Sequence, residues 1–265
     1  MANILTEIIN HKKTEVAQLK TITDYDLNNL ESYRVKNALA CSFYDALTCD
    51  GLSVIAEIKR RSPSKGQLSE INSPVELALQ YAKGGANAIS VLTDNKYFAG
   101  DINDLSAVSN MLKTTDHKVS LLRKDFIIDP VQIIQAALAG ANAILLIVSV
   151  LRERTADLLQ VSTKLNLDVL VEVRDIPEIK MAVASGAKII GINNRNLNTF
   201  EVNLRTSCKF IQYIPDNIVK VSESGIHSPV DAKLMQSVGF DAILVGEALV
   251  TADNPTDFIQ QLKSN

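Results

Sequence analysis

The chain has 265 residues, 46% hydrophobic and 22% charged, which provides for one large core and excludes a disordered chain. A formal net charge of -3 excludes whole-protein attraction to nucleic acid or an anionic membrane, so any anionic ligand must be held locally. Cys41, Cys49 and Cys208 form no CxxC pair and His11, His117 and His227 show no ligand spacing, which argues against metal and redox chemistry.

The N-terminus, Met1 to Glu7, lacks the basic start and apolar run of a signal peptide, and no apolar run is long enough to span a bilayer. The cytoplasm is therefore the expected compartment. The first part of the chain, residues 1–48, carries helix-like stretches from Ile4 to Leu19 and from Leu27 to Leu39, with apolar spacings such as Ile4, Ile8 and Val16. No Pro- or Gly-rich linker follows, so this segment reads as a helical extension of a single domain spanning residues 1–265. Two roles stand open for it: closing the bottom of a barrel, or a share in the active site.

Beyond the extension a motif recurs four times, in which a glycine ends a helix and a short apolar run begins about three residues later. The copies are Gly85-Ala86-Asn87-Ala88-Ile89, Gly140-Ala141-Asn142-Ala143-Ile144, Gly186-Ala187-Lys188-Ile189-Ile190 and Gly239-Phe240-Asp241-Ala242-Ile243. Each places glycine where a helix C-cap wants a left-handed residue and then enters a strand too apolar to have a solvated face. The spacing is about twice the βα unit of a parallel barrel, so each copy marks every second strand. The strands between are Val54 to Glu57, Val119 to Leu122, Val169 to Glu172 and Ile218 to Val221.

Amphipathic helices fill the gaps, as from Pro74 to Lys83 and from Pro130 to Ala139. Eight strands alternating with helices allow a closed barrel or a doubly wound open sheet. Because the repeat runs evenly to the C-terminus, the expectation is an α/β fold: a (β/α)8 TIM barrel with an N-terminal helical extension.

Catalytic groups of such a barrel come from the C-terminal ends of its strands. Here those ends carry charge: Glu57 and Lys59 on one face of strand 1, Arg123-Lys124-Asp125 on strand 3 and Glu172 on strand 5. Asn193-Asn194-Arg195 end strand 6 and Ser222-Glu223-Ser224 end strand 7. Buried charges cost several kcal/mol each unless compensated, so structural ion pairs alone are a poor account of so many, and converging lysines and glutamates point to proton transfer. After strands 7 and 8, Ser224-Gly225 and Gly246-Glu247 allow the close backbone approach of a barrel phosphate site. The basic loop Arg60-Arg61-Ser62-Pro63-Ser64-Lys65-Gly66 reads as an anion-facing lid, and the histidines as surface or structural residues.

These residues resemble a known family, indole-3-glycerol phosphate synthase. The resemblance is carried by Ile55 to Gly66, Ser90-Val91-Leu92-Thr93-Asp94, Lys96-Tyr97-Phe98, Leu122 to Phe126, Leu170-Val171-Glu172-Val173, Gly191 to Arg195 and Ser222 to Ile226. It implies ring closure, decarboxylation and dehydration of 1-(2-carboxyphenylamino)-1-deoxyribulose 5-phosphate, a small phosphorylated substrate, with no cofactor. It also implies an active-site role for the extension. Lys124 is then the general acid of ring closure, and Lys59 holds the substrate carboxylate or acts in dehydration. Glu57 and Glu172 orient the lysines and exchange protons, in an order the resemblance leaves open.

By the same resemblance Asn193 and Ser224 orient substrate, while Arg195 and Glu223 support them. Phosphate is expected against Ser62, Gly225, Gly246 and Glu247, and the aromatic ring against Pro63, Phe98, Phe126, Leu146 and Leu244. The chain departs from the family pattern at Arg174, where many relatives carry His, and at Ala99, where Gly is common. Two rivals remain: phosphoribosylanthranilate isomerase, which would want a Cys ending strand 1 and an Asp ending strand 6, and a non-catalytic phosphometabolite-binding barrel.

Overall fold

In the computed structural model, which describes residues 4–34, 41–196 and 199–264, eight parallel strands close into a barrel. They are β1 (Ser53–Ile58), β2 (Ala88–Leu92), β3 (Ser120–Lys124), β4 (Ala143–Ile147), β5 (Asp168–Val173), β6 (Ile189–Asn193), β7 (Val219–Glu223) and β8 (Ala242–Val245). The ring runs in chain order, and β1 pairs with both β2 and β8, which decides for the barrel over the open sheet.

The four repeat glycines all have the left-handed backbone that the motif requires, with φ of 86° at Gly85, Gly140 and Gly186 and 99° at Gly239. Two residues after the glycine, the motif has a second function. Asn87 Oδ1 accepts from the Val54 N–H at 3.2 Å, Asn142 Oδ1 from Leu121 at 2.9 Å and Asp241 Oδ2 from Lys220 at 2.7 Å. Each even-numbered strand that carries such a side chain is thus clipped at the barrel floor to the strand before it.

Strand alternation divides the apolar side chains between two cores. Val54, Ile89, Leu121 and Ile144 face the surrounding helices. Ile55, Leu122, Leu145, Leu170 and Val221 fill the barrel interior, where they meet Phe43 and Leu47 of the short helix Phe43–Leu47. Both of those side chains are buried, so this part of the extension is a plug at the bottom.

The first helix of the extension, α1 (Ile4–Ile22), reaches three residues beyond its expected end. The expected helix from Leu27 to Leu39 is reduced to the single turn Leu30–Tyr33 as far as residue 34; residues 35–40 lie outside the described residues. The cause is local: Asp26 Oδ1 accepts from the Asn28 N–H at 2.9 Å, and the Asp26 N–H donates to the Tyr33 hydroxyl at 2.8 Å. Side chains that bond nearby backbone compete with helix in this way.

Among the described residues, no helix is long and apolar enough to cross a membrane.

Candidate active site

At the C-terminal mouth of the barrel, residues of β1, β3, β5 and β6 and of the segments that follow β1 and β7 converge on one cleft, lined by Glu57, Lys59, Lys124, Glu172, Asn193 and Ser224. The Lys124 ammonium donates to Glu223 Oε2 at 2.8 Å and stands 3.8 Å from Glu172 Oε2. Lys59 donates to Glu57 Oε1 at 2.5 Å. Two lysines and three carboxylates are thereby grouped in a largely buried space, with Glu57, Glu172 and Glu223 all under 5% exposed.

Their neighbours set the proton affinities. Burial would lower the pKa of Lys124, but Glu223, Glu172 and Glu57 outweigh it and hold the ammonium protonated above the ordinary lysine range. Burial would raise Glu57, yet Lys59 and Lys124 keep it below the usual carboxylate value. Glu223 goes the other way: burial, with Glu172 and Glu57 nearby, overrides the attraction of Lys124 and raises it to about 7. Lys124 is therefore a charged acid beside a carboxyl of near-neutral pKa.

The rest of the cleft is arranged as the sequence suggests, with corrections. Phe98 and Phe126 meet at 6.0 Å between ring centroids and form an apolar wall with Pro63 and Leu244. Leu146 does not belong to it: it points outward into the helix-facing core, and its neighbours Leu145 and Ile147 line the cleft. The period of two along β4 puts the odd-numbered residues inside, so the expectation is off by one position.

The basic loop is folded as a small hairpin, Arg61–Ser62 against Gly66–Gln67. It presents Ser62, Pro63 and Ser64 to the cleft, but its arginines face elsewhere: Arg60 pairs with Asp104 and Arg61 bonds the carbonyls of Lys96 and Tyr97. Lys65 pairs with Glu247, joining the loop after β1 to the turn after β8. Arg195 bonds Ser64 Oγ at 3.3 Å, while its own N–H donates to Asn193 Oδ1 at 2.9 Å, so both residues brace the rim.

At the other end of the cleft Ser224 and Gly225 are consecutive left-handed residues, φ 67° and 88°, a turn that favours glycine and is strained for serine. Gly246 opens the helical turn Glu247–Val250, which follows the adjacent strand β8. His227, expected as a surface or structural residue, is exposed and stands on the cleft lip. The two departures from the family pattern lie outside the cleft: Ala99 is left-handed at φ 52°, the conformation glycine adopts freely, and Arg174 pairs with Glu178 at 2.9 Å.

Besides single positions such as Leu145 and Ile147, a group of lining residues on the extension was not foreseen from the sequence. Ile4, Leu5 and Ile8 of α1 lie along the cleft, and Lys12 on the same helix is 2% exposed, 3.0 Å from Asp94 and 2.9 Å from Asp125. The extension therefore does both things that were open for it. Its first helix helps to wall the cleft and its last plugs the floor. A lysine flanked by the apolar spacing of Ile8 and Val16 was the available signal.

Comparison with known proteins agrees with this geometry. The family model for indole-3-glycerol phosphate synthase matches residues 5–262. Relatives include the indole-3-glycerol phosphate synthases of Exiguobacterium sibiricum, 45% identical over 97% of this chain and 96% of that one, and of Thermoanaerobacter pseudethanolicus, 41% identical over 98% of each. The multifunctional tryptophan biosynthesis protein of Schizosaccharomyces pombe is 41% identical over 98% of this chain and 35% of its own length. Among solved structures, the 3-hexulose-6-phosphate synthase of Salmonella typhimurium superposes with a TM-score of 0.62 at 15% identity, over 80% of this chain and 97% of that one, which speaks to the fold alone. With a closed barrel, a lysine and carboxylate cluster at its mouth and full-length relatives of one activity, the chain belongs to the indole-3-glycerol phosphate synthase family.

Proposed function

We propose that the family's reaction, conversion of 1-(2-carboxyphenylamino)-1-deoxyribulose 5-phosphate to indole-3-glycerol phosphate, carbon dioxide and water, is driven here by the Lys124 cluster. The observation that carries this is the position of the Lys124 ammonium, 2.8 Å from Glu223 and 3.8 Å from Glu172 beneath the apolar wall. Lys124 delivers a proton to the ribulose carbonyl oxygen as the carboxylate-bearing aromatic carbon attacks the carbonyl carbon. Carbon dioxide then leaves and aromaticity returns.

Dehydration removes the new hydroxyl and a neighbouring proton. Glu57 and Glu223 each hold a lysine at hydrogen-bond distance, whereas Glu172 stands beyond it and is the carboxylate left to take that proton. Lys59, oriented by Glu57, supports the substrate carboxylate and then the departing hydroxyl. Asn193 and Ser224 orient the substrate, and Arg195 braces the rim. The whole chain, residues 1–265, works as one domain in the cytoplasm.

Phosphate lies against Ser62 and the turns Ser224-Gly225 and Gly246-Glu247, bound mainly by backbone N–H groups. Lys65 neutralises Glu247, so the carboxylate does not oppose the anion. Inorganic phosphate is expected to inhibit competitively in an assay that follows indole fluorescence. Gly225→Val is expected to raise the Michaelis constant: its backbone is left-handed, and a Cβ there would stand 2.6 Å from Val202 Cγ1, forcing the turn to move. An unchanged Michaelis constant in a folded variant means that phosphate binds elsewhere. Product formation by the intact protein tests the reading as a whole.

A further inference from the structure

Within β6, Gly191 faces the barrel interior at a position where no turn and no left-handed backbone requires glycine. A Cβ built there would stand 2.1 Å from Glu223 Oε1 and 3.1 Å from both Glu223 Cδ and Leu170 Cδ1. Cβ contacts below 3.0 Å are essentially never seen, so the carboxylate of Glu223 occupies the volume that a side chain at residue 191 would need. In the register of the sheet Gly191 lies beside Glu172 on β5 and Val221 on β7. The slot therefore opens between the strands that carry the two carboxylates nearest Lys124.

The two oxygens of Glu223 have different surroundings. Oε2 accepts from Lys124 at 2.8 Å, while Oε1 lies in the slot, fully buried, with no hydrogen-bond donor among the described residues. No protein donor among the described residues holds Oε1, so its place is set by the room in the slot together with the bond that Oε2 makes to Lys124. We propose that Gly191 is a positioning residue for the ring-closing step: its missing side chain lets Glu223 lean over β6 and hold the Lys124 ammonium at the cleft floor.

An alanine at 191 would drive the carboxylate back toward β7 and lengthen or break its bond to Lys124. Leu170, the other neighbour, ends in a methyl group at 3.1 Å that needs to yield only a few tenths of an ångström. The strain is thus specific to Glu223.

This inference rests on Lys124 as the acid, and two measurements separate the two claims. The first is a kinetic cycle. Gly191→Ala is expected to lower kcat by roughly 10- to 100-fold, the scale of a misplaced reacting group, with the Michaelis constant almost unchanged. Glu223→Asp shortens the side chain by one methylene and withdraws it from the slot, so the double variant should be no slower than the slower single variant. Multiplicative losses, or a normal kcat in Gly191→Ala, overturn the proposal.

The second is a stability cycle, which does not depend on chemistry. Gly191→Ala should lower the thermal midpoint of the otherwise unchanged protein, or prevent its folding, and should cost little when introduced into Glu223→Ala. Equal destabilisation in both backgrounds overturns the slot, whatever the kinetics of Lys124 variants show.

Discussion

Lys124→Met is expected to leave the barrel folded and to cut turnover by roughly 100-fold or more, the scale of a lost general acid. Methionine keeps the length and apolar stem of lysine but carries no proton, so the substrate can still enter while the ring-closing alkoxide goes unneutralised. The fold should survive because one of the carboxylates around the lost cation, Glu223, can take up a proton in response. Glu223 already has its pKa raised to about 7 by burial and by Glu172 and Glu57, with Lys124 opposing that rise. Once Lys124 is gone it will be raised further and stay neutral at pH values where the normal protein begins to ionise it. A protonated Glu223 buried beside the thioether of the variant is tolerable where an ionised one would not be. Far-UV circular dichroism and steady-state turnover, followed by indole fluorescence, are the measurements. A folded variant with near-normal kcat would remove Lys124 from the role given to it and pass the acid function to Lys59, the other ammonium in the cleft.

The barrel and its charged mouth were legible in the sequence because both are written in local terms. A left-handed glycine followed two residues later by Asn or Asp marks the entry of a strand, and the structure shows that this side chain clips the preceding strand, as with Asn87 and Val54. Charge at the end of an apolar run has few structural explanations, which is how Glu57, Lys59, Lys124 and Glu172 were found. Leu146 was misplaced because a run such as Ala143 to Ile147 is apolar at every position and carries no mark of which face is inward. The close pairing of Glu223 with Lys124 was also hidden, since β3 and β7 lie across the barrel from each other and only the closed ring lets the two side chains meet at 2.8 Å. Gly191 was invisible for a further reason. Its meaning is the space it leaves to a side chain 32 residues later in the chain, and nothing local to residue 191 states that.

The extension leads to the second large expected effect. Deleting residues 1 to 34, so that the plug Phe43–Leu47 remains, should raise the Michaelis constant strongly while the barrel still folds. Ile4, Leu5 and Ile8 would no longer wall the cleft, and water would reach the lysine and glutamate cluster and weaken its interactions. Lys12→Met asks the same of one contact. The Lys12 ammonium is held by Asp125, with Asp94 and Glu15 adding to it, all well inside a salt-bridge distance, and Asp125 in turn is bound by Arg123 and Thr93. Removing one member of such a buried network costs about 3–5 kcal/mol, because it leaves charge behind without a partner. The Asp125 carboxyl has its pKa held well below the ordinary carboxylate range: burial would raise it, but Lys12 and Arg123 prevail. A depressed carboxylate contributes stability above its unfolded pKa, about 3.9, and loses it only as pH falls toward the folded value. The stability gap between the normal protein and Lys12→Met should therefore be fully present at neutral pH and shrink only in strong acid. Because Asp125 adjoins Lys124 and α1 carries three cleft residues, Lys12→Met should also raise the Michaelis constant, in the same direction as the deletion and by less. Denaturation at several pH values and steady-state kinetics decide it. If both variants lose stability while their Michaelis constants stay normal, α1 serves only to brace the barrel and the cleft is complete without it.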